Sequence, residues 1–135
     1  MAQAQEQKAR KLTTHQKAVL IQVLRTFPDE RVEIRHAPDA DDALPYAQDF
    51  LAVFKAILWD VEGPQPDPNA PVGLTLIPGA GSGLPPCAEA LRDALRIYAI
   101  ETQVRQKDGR DAKPLSFMLI VGPRGVPRNE PREKN

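Results

Sequence analysis

The stretch from Val72 to Cys87, VGLTLIPGAGSGLPPC, contains a mainly apolar run, three glycines in five residues, and two prolines before the only cysteine of the chain. A short apolar run bounded by turn residues is typical of a buried strand. Two prolines fit the first turn of a helix, where the N–H groups have no helical partner. The stretch therefore predicts a strand, a glycine loop and a helix, the unit from which α/β sheets are built.

Apolar residues at helical spacing predict three helices, over residues 13–26, 43–58 and 85–98. Thr13 followed by Gln16 fits a capping box at the start of the first helix. Alternating or continuous apolar runs predict five strands, over residues 31–37, 59–62, 72–77, 100–104 and 116–122. The segment GPQPDPNAP, residues 63–71, holds four prolines and is predicted to be a surface loop.

This order of elements predicts one α/β domain over residues 12–123, with disordered tails at 1–11 and 124–135. We expect a sheet of four or five mostly parallel strands with two or three helices and crossovers of the Rossmann-like or flavodoxin-like type. The runs VGLTLI and SFMLIVG are apolar on both faces and belong near the centre of the sheet. The nine residues QKDGRDAKP between the last two strands allow only a hairpin or an extended return.

Composition excludes several classes of function. The 135 residues contain 18 Lys and Arg and 18 Asp and Glu, so no net charge draws the chain to nucleic acid. No apolar segment approaches the roughly 20 residues needed to span a bilayer, and no direct membrane insertion is expected. A single cysteine excludes an intramolecular disulfide and suits a reducing compartment, so the expected location is the cytoplasm.

A ligand site is expected beyond the carboxyl ends of the strands, as in other open α/β sheets. If the strands at 32–36 and 72–77 are neighbours, an acidic loop and the glycine loop line one crevice there. The predicted ligand-binding residues are His36, Asp39, Gly79, Gly81, Ser82 and Gly83. Glycine amides in front of a helix N-terminus favour an anion. However, Leu84 replaces the last glycine of GxGxxG and no P-loop lysine is present, which favours a plain connector.

The acidic run PDADD, residues 38–42, is predicted to cap the second helix by accepting backbone N–H bonds. Cys87 near a helix start and His36 at a strand end form a hypothetical nucleophile and base. The alternative is that Cys87 packs as a small apolar residue, which the missing third catalytic group favours. No catalytic residue, metal site or cofactor is predicted, since His15 and His36 share no ligand spacing.

The succession YAQDFLAVFKAILWDVEG, APVGLTLIPG, PPCAEALRDALRIYAIETQV and SFMLIVGPR resembles a small uncharacterised α/β domain. That domain often follows transmembrane helices at the C-terminus of bacterial membrane proteins. The resemblance covers about residues 12–124. The chain departs from it by lacking the membrane helices and by having Ile57 and Leu58 where an Ala-Gly turn is expected before the tryptophan. The resemblance implies a cytoplasmic interaction or sensing module and transfers no catalytic residue.

These observations predict a non-catalytic α/β module for protein interaction or for sensing a small anionic ligand near Gly79 to Gly83. The partner is an unknown protein or a small anion, and not nucleic acid. One alternative is a small hydrolase or transferase that uses Cys87 and His36. The other is a self-assembling homodimer domain in which the edge strand IETQV, residues 100–104, pairs across a two-fold axis.

Overall fold

The computed structural model describes residues 10–79, 83–105 and 115–124. Eight elements follow one another in the predicted order. They are α1 (Thr14–Leu24), β1 (Arg31–His36), α2 (Ala43–Ala56), β2 (Asp60–Pro66), β3 (Leu74–Pro78), α3 (Pro86–Ile97), β4 (Thr102–Val104) and β5 (Phe117–Val121). The predicted α/β class is therefore confirmed.

The capping box predicted for α1 is present. The Gln16 backbone N–H donates to the Thr13 hydroxyl over 3.0 Å, and the Thr13 N–H donates to the Gln16 side chain over 2.9 Å. Each bond satisfies an N–H group that the helix itself leaves without a partner. The start of α1 is thus determined by local sequence.

The five strands form one sheet in the order β2-β1-β5-β3-β4. β1 is parallel to β2 and to β5, and β3 is parallel to β4. β5 and β3 are antiparallel, so the sheet is mixed but mostly parallel, as expected. Every residue of β5 is buried, which explains the central position of this strand.

One sequence-based prediction about the strands is narrowed and another is wrong. Of the hairpin and the extended return predicted between the last two strands, the hairpin is excluded because β3 lies between β4 and β5; the extended return, at 106–114, lies outside the described residues and stays a prediction. β2 extends through Pro64 to Pro66 instead of ending before the proline-rich segment. Proline is compatible with β2 because an edge strand needs ladder donors on one side only.

The helices form a single layer on one face of the sheet. α1 contacts both α2 and α3, while α2 packs on β1, β2 and β5 and α3 on β4. The core between the layers includes Ile34, Phe50, Phe54, Phe117 and Leu119. No helix in residues 10–79, 83–105 and 115–124 is long and apolar enough to cross a membrane.

The turn after α2 contains a non-glycine residue with a positive φ. Leu58, which takes the place of the expected glycine, has a φ of 65° and is exposed. This left-handed conformation favours glycine. The turn thus places a leucine in a conformation that glycine adopts at lower cost.

Candidate functional site

The strand register defines two ends of the sheet. His36, Val121 and Leu74 share one cross-strand row, at the end where β1 and β5 finish and β3 and β4 begin. We call this the Asp42 end, because Asp42 lies in the loop that follows β1. The opposite end carries the row Val32, Phe117 and Pro78, and we call it the Cys87 end.

The two predicted halves of the ligand crevice lie at opposite ends of the sheet. His36 and Asp39 are at the Asp42 end, whereas Gly79 and Gly83 follow β3 at the Cys87 end. Gly81 and Ser82 lie outside the described residues. The two rows are separated by four residues of strand, or about 13 Å. The condition for a joint site, neighbouring parallel strands, is not met because β5 inserts between β1 and β3 and runs antiparallel to β3.

Gly79 has a packing role at the Cys87 end. Its N–H donates to the Ser116 carbonyl over 3.2 Å. A Cβ atom on Gly79 would lie 1.8 Å from the Leu115 carbonyl oxygen, well inside van der Waals contact. Glycine at this position therefore allows two backbone segments to approach each other closely.

Cys87 is also at the Cys87 end and is only 1% exposed. Burial, the charge of Glu30 and a hydrogen bond to Glu30 raise the pKa of the thiol to about 12. Glu30 directly precedes β1, while His36 is the last residue of β1, about 20 Å along a strand of this length. The structure therefore does not bring Cys87 and His36 together.

A cluster of charged groups surrounds Asp42. The Arg10 guanidinium donates to both carboxylate oxygens, from Nε over 3.0 Å and from Nη2 over 2.9 Å, and the Arg10 backbone N–H donates over 3.0 Å. Arg10 Nη2 also donates to the Gly122 carbonyl over 2.7 Å. Arg124 Nε lies 3.6 Å from the same carboxylate. Arg10, assigned to a tail from its sequence, thus connects α2 to the end of β5.

Asp42 occupies the N-cap position of α2 but makes no capping hydrogen bond with its side chain. The predicted capping role is wrong for this residue because Arg10 takes the carboxylate. Burial acts to raise the pKa of Asp42, but the hydrogen bonds from Arg10 and the charges of Arg10 and Arg124 outweigh it and lower the pKa below 3.8. Asp42 is therefore ionised and held in a bidentate ion pair, which has a fixed geometry.

A cavity of about 300 Å³ opens beside this cluster. It lies over the start of β3 and β4 and under the first turn of α2. Its lining consists of Arg10, Tyr46, Gly73, Leu74, Ala99, Ile100, Glu101 and Arg124. The volume is at the lower limit of ordinary ligand sites and suits a small polar group.

Tyr46 is the most informative residue of this lining. It is 3% exposed, and the Arg10 guanidinium carbon lies 5.2 Å from the centre of its ring. Among the hydrogen bonds of the described residues, none involves the Tyr46 hydroxyl. Buried tyrosines normally find a partner for this group. Burial, opposed by Arg10 and reinforced by Asp49 and Asp42, raises the pKa of Tyr46 to about 12, so the hydroxyl remains a donor.

A second cavity of about 340 Å³ adjoins the first on the far side of Arg124. Its lining consists of Asp39, Ala40, Asp41, Asp42, Pro123 and Arg124. In the part of the chain that is described, no group of three or more His, Cys, Asp or Glu side chains is arranged to hold a metal ion. Asp39, which was predicted to bind ligand, lines this acidic cavity. The Nδ1 atom of His36, three residues earlier, is buried and has no hydrogen-bond partner among the described residues.

Sequence reasoning missed Arg10, Arg124 and Tyr46. The two arginines lie beside polar segments with no periodic pattern, so no sequence signal placed them on the domain. One signal was available for Tyr46, which follows Asp42 by four residues on the same helix and therefore lies on the same face one turn later. The pairing of Asp42 with Arg10 depends on tertiary structure alone.

Comparison with protein families, with curated proteins and with solved structures finds no match to this chain. The resemblance to a domain that follows transmembrane helices therefore stays a prediction. Any function has to be argued from the geometry described above.

Proposed function

We propose that the protein is a non-catalytic α/β module that binds a small anionic ligand, carrying a carboxylate or a phosphate, in the cavity at the Asp42 end. The observation that carries this proposal is the Tyr46 hydroxyl, a donor on a residue that lines the cavity and a group without a hydrogen-bond partner among the described residues, in a lining that also contains two arginines. Because the residue lines an open cavity, this donor is available to an acceptor there, and a ligand oxygen would supply one.

The chemistry of the lining favours an anion over a neutral acceptor. Arg10 is held by Asp42 through Nε and Nη2, and its second terminal nitrogen, Nη1, makes no hydrogen bond within the described residues. Arg124 Nε lies 3.6 Å from Oδ2 of Asp42, the oxygen that also accepts from Arg10 Nε. Hydrogen bonds from guanidinium to carboxylate or phosphate are about twice as strong as neutral ones. Glu101 also lines the cavity and is exposed, as Arg124 is, so solvent and salt screen both of these charges, and the partly buried Arg10 is screened less.

This proposal contains no catalytic step. The two groups that the sequence offered for catalysis, Cys87 and His36, are at opposite ends of the sheet, and the thiol is buried and protonated. The proposal also differs from the sequence-based expectation, which put the anion site at the glycine loop, residues 79–83. Gly79 is packed against Leu115, whereas the Asp42 end has a cavity, two arginines and an unused donor.

The experiment is a calorimetric titration with inorganic phosphate and with succinate, using succinamide as the neutral control. We expect saturable binding of at least one anion in the millimolar range or tighter, and none of succinamide. Tyr46→Phe removes only the hydroxyl and should weaken binding roughly tenfold, the effect of one hydrogen bond to a charged group. Tyr98→Phe is the matched control, because the ring of Tyr98 meets His15 on α1 instead of lining the cavity.

Arg124→Gln should weaken binding by a similar or larger factor, and Arg92→Gln, which alters an exposed pair with Asp93 on α3, should not. The proposal is refuted by the absence of saturable binding for both anions. It is equally refuted if Tyr46→Phe and Tyr98→Phe bind with the affinity of the unchanged protein.

A further inference from the structure

β4 is both the last strand of the sheet and a neighbour of the cavity. No described strand pairs with its outer side. Ala99, Ile100 and Glu101 line the cavity and lead directly into Thr102, the first residue of β4. A strand edge that can accept another strand thus begins where the anion site lies.

The backbone of β4 is oriented to accept a partner. The Arg105 N–H donates to the Leu76 carbonyl over 3.1 Å, so the peptide groups of Arg105 face β3. In an extended strand the N–H and C=O of alternate residues point to opposite sides. Thr102 is paired with Leu74, and Val104 is paired with Leu76. The N–H and C=O groups of Thr102 and Val104 therefore point away from β3, to the outer side of the sheet. An added strand would find two donors and two acceptors there.

We infer that this site binds the free C-terminus of an extended peptide, which adds to β4 as an antiparallel strand and places its terminal carboxylate in the cavity. The inference rests on the proposed function and specifies its ligand. An antiparallel peptide ends beside the start of β4, next to Arg10 and Arg124. A parallel peptide would bring its positively charged amino terminus to the same two arginines, so charge selects the antiparallel direction.

The geometry also specifies part of the peptide sequence. With the last peptide residue opposite Thr102, the third-last residue lies opposite Val104. The Val104 side chain is 43% exposed, and directly opposite side chains of paired strands are in contact. An apolar or β-branched residue at the third-last position would cover Val104 and is expected to be preferred.

The test exposes the immobilised protein to a randomised hexapeptide mixture with free C-termini and to the same mixture with amidated C-termini. Mass spectrometry of the eluted peptides measures retention. We expect free-acid peptides to be retained at least tenfold better than amides, which corresponds to the loss of one charge-assisted contact. We also expect Val, Ile or Leu to be enriched at the third-last position.

Two variants separate the strand from the carboxylate site. Val104→Pro removes one outward N–H and leaves the ladder bonds to β3 in place, so it should abolish retention of peptides while phosphate or succinate still binds. Val104→Thr, which keeps the N–H, should retain them. Arg124→Gln should reduce retention of acids to the level of amides, and this second variant tests the inference even if Val104→Pro fails to fold.

Equal retention of acids and amides, or retention unchanged by both Val104→Pro and Arg124→Gln, overturns the inference. If small anions bind but no peptide is retained, the inference fails and the proposed function stands; if neither binds, both fail. Sedimentation of the protein without peptide tests whether a second copy of the chain, and not a peptide, pairs with β4. A stable dimer that Val104→Pro dissociates would assign β4 to a second copy of the chain and overturn the peptide inference.

Discussion

The two ends of the sheet each hold one carboxylate but surround it differently. At the Asp42 end the carboxylate accepts charged hydrogen bonds from Arg10, and a cavity remains beside it. At the Cys87 end, Glu30 accepts from a neutral donor, the Ser116 hydroxyl, and its charge acts on the Cys87 thiol. The proposed ligand site therefore lies at the Asp42 end, whereas the described contacts of Gly79 at the Cys87 end are those of close backbone packing.

The largest expected losses of stability come from replacing one glycine at each end of the sheet, where two backbone segments approach closely. A Cβ atom on Gly122 would lie 1.5 Å from the Pro71 carbonyl oxygen, and one on Gly79 would lie 1.8 Å from the Leu115 carbonyl oxygen. Because the obstructing atoms belong to the backbone, Gly122→Ala and Gly79→Ala should each lower the free energy of unfolding by about 3 kcal/mol or more. Urea unfolding followed by circular dichroism measures the loss.

Gly83→Ala is the control for both glycine variants, because a Cβ atom there meets nothing within 4 Å. Its effect should stay within about 0.5 kcal/mol. If Gly79→Ala were as harmless as Gly83→Ala, the Cys87 end would not be tightly closed, and the contrast between the two ends would weaken.

The next largest effect is expected for Asp42→Asn, which leaves the partly buried Arg10 guanidinium without its counter-charge. We expect a loss of about 2 kcal/mol at pH 7, below the range for fully buried pairs because Arg10 is partly exposed. Asp60→Asn is the control. It alters the exposed pair with Arg31 and should cost at most about 0.5 kcal/mol.

The same pair predicts a pH dependence. The folded pKa of Asp42 is below the value of 3.8 for an unperturbed aspartate. The ion pair therefore stabilises the fold above pH 3.8, and its contribution is lost as the pH falls from there through the lower folded pKa. As the pH falls from 3.8 to the folded pKa of Asp42, the free energy of unfolding should decrease more steeply for the unchanged protein than for Asp42→Asn. Parallel curves for the two proteins would contradict the assigned ion pair.

Local patterns predicted the elements of this fold better than they predicted its site. The capping box at Thr13 and the apolar run of β5 each identify an element from a few neighbouring residues. The order of the strands cannot be predicted from neighbouring residues, because β5 is the last of the described elements and yet inserts between β1 and β3. That insertion reverses β3 relative to β1 and moves Gly79 away from His36.

The candidate site depends on contacts that no local pattern encodes. Arg10 reaches Asp42 across 32 residues and Gly122 across 112 residues. Glycines were taken as a sign of an anion loop, yet Gly79 permits a close backbone approach. Side chains close in space but distant in sequence can be predicted only after the topology is known, and here the topology departed from the parallel arrangement expected around β3.

A smaller but specific effect concerns the thiol at the Cys87 end. With its pKa raised from 9.0 to about 12, Cys87 in the folded protein should react with iodoacetamide at pH 8 about a thousand times more slowly than in the unfolded protein. Because the folded pKa is the higher one, the stabilisation is complete below pH 9 and is lost as the pH rises towards 12.

Glu30→Gln tests the cause of this shift. Removing the negative charge should lower the pKa of Cys87 and speed its alkylation, since burial then acts without the Glu30 charge. Glu62→Gln, on the edge strand β2, is the matched control and should leave the rate unchanged. Rapid alkylation of the unchanged folded protein at pH 8 would contradict the closed structure of this end.

The smallest expected effect compares two hydroxyl groups, one at each end. Ser116 donates to Glu30 and accepts from the Arg31 N–H over 3.2 Å, so Ser116→Ala should cost about 1 kcal/mol. Tyr46→Phe removes a hydroxyl that has no partner within the described residues and should change the free energy of unfolding by less than about 0.5 kcal/mol. Thermal or urea unfolding without added anion measures both. A loss for Tyr46→Phe as large as that for Ser116→Ala would mean that the Tyr46 hydroxyl already has a structural partner, and it would remove the main argument for a ligand at the Asp42 end.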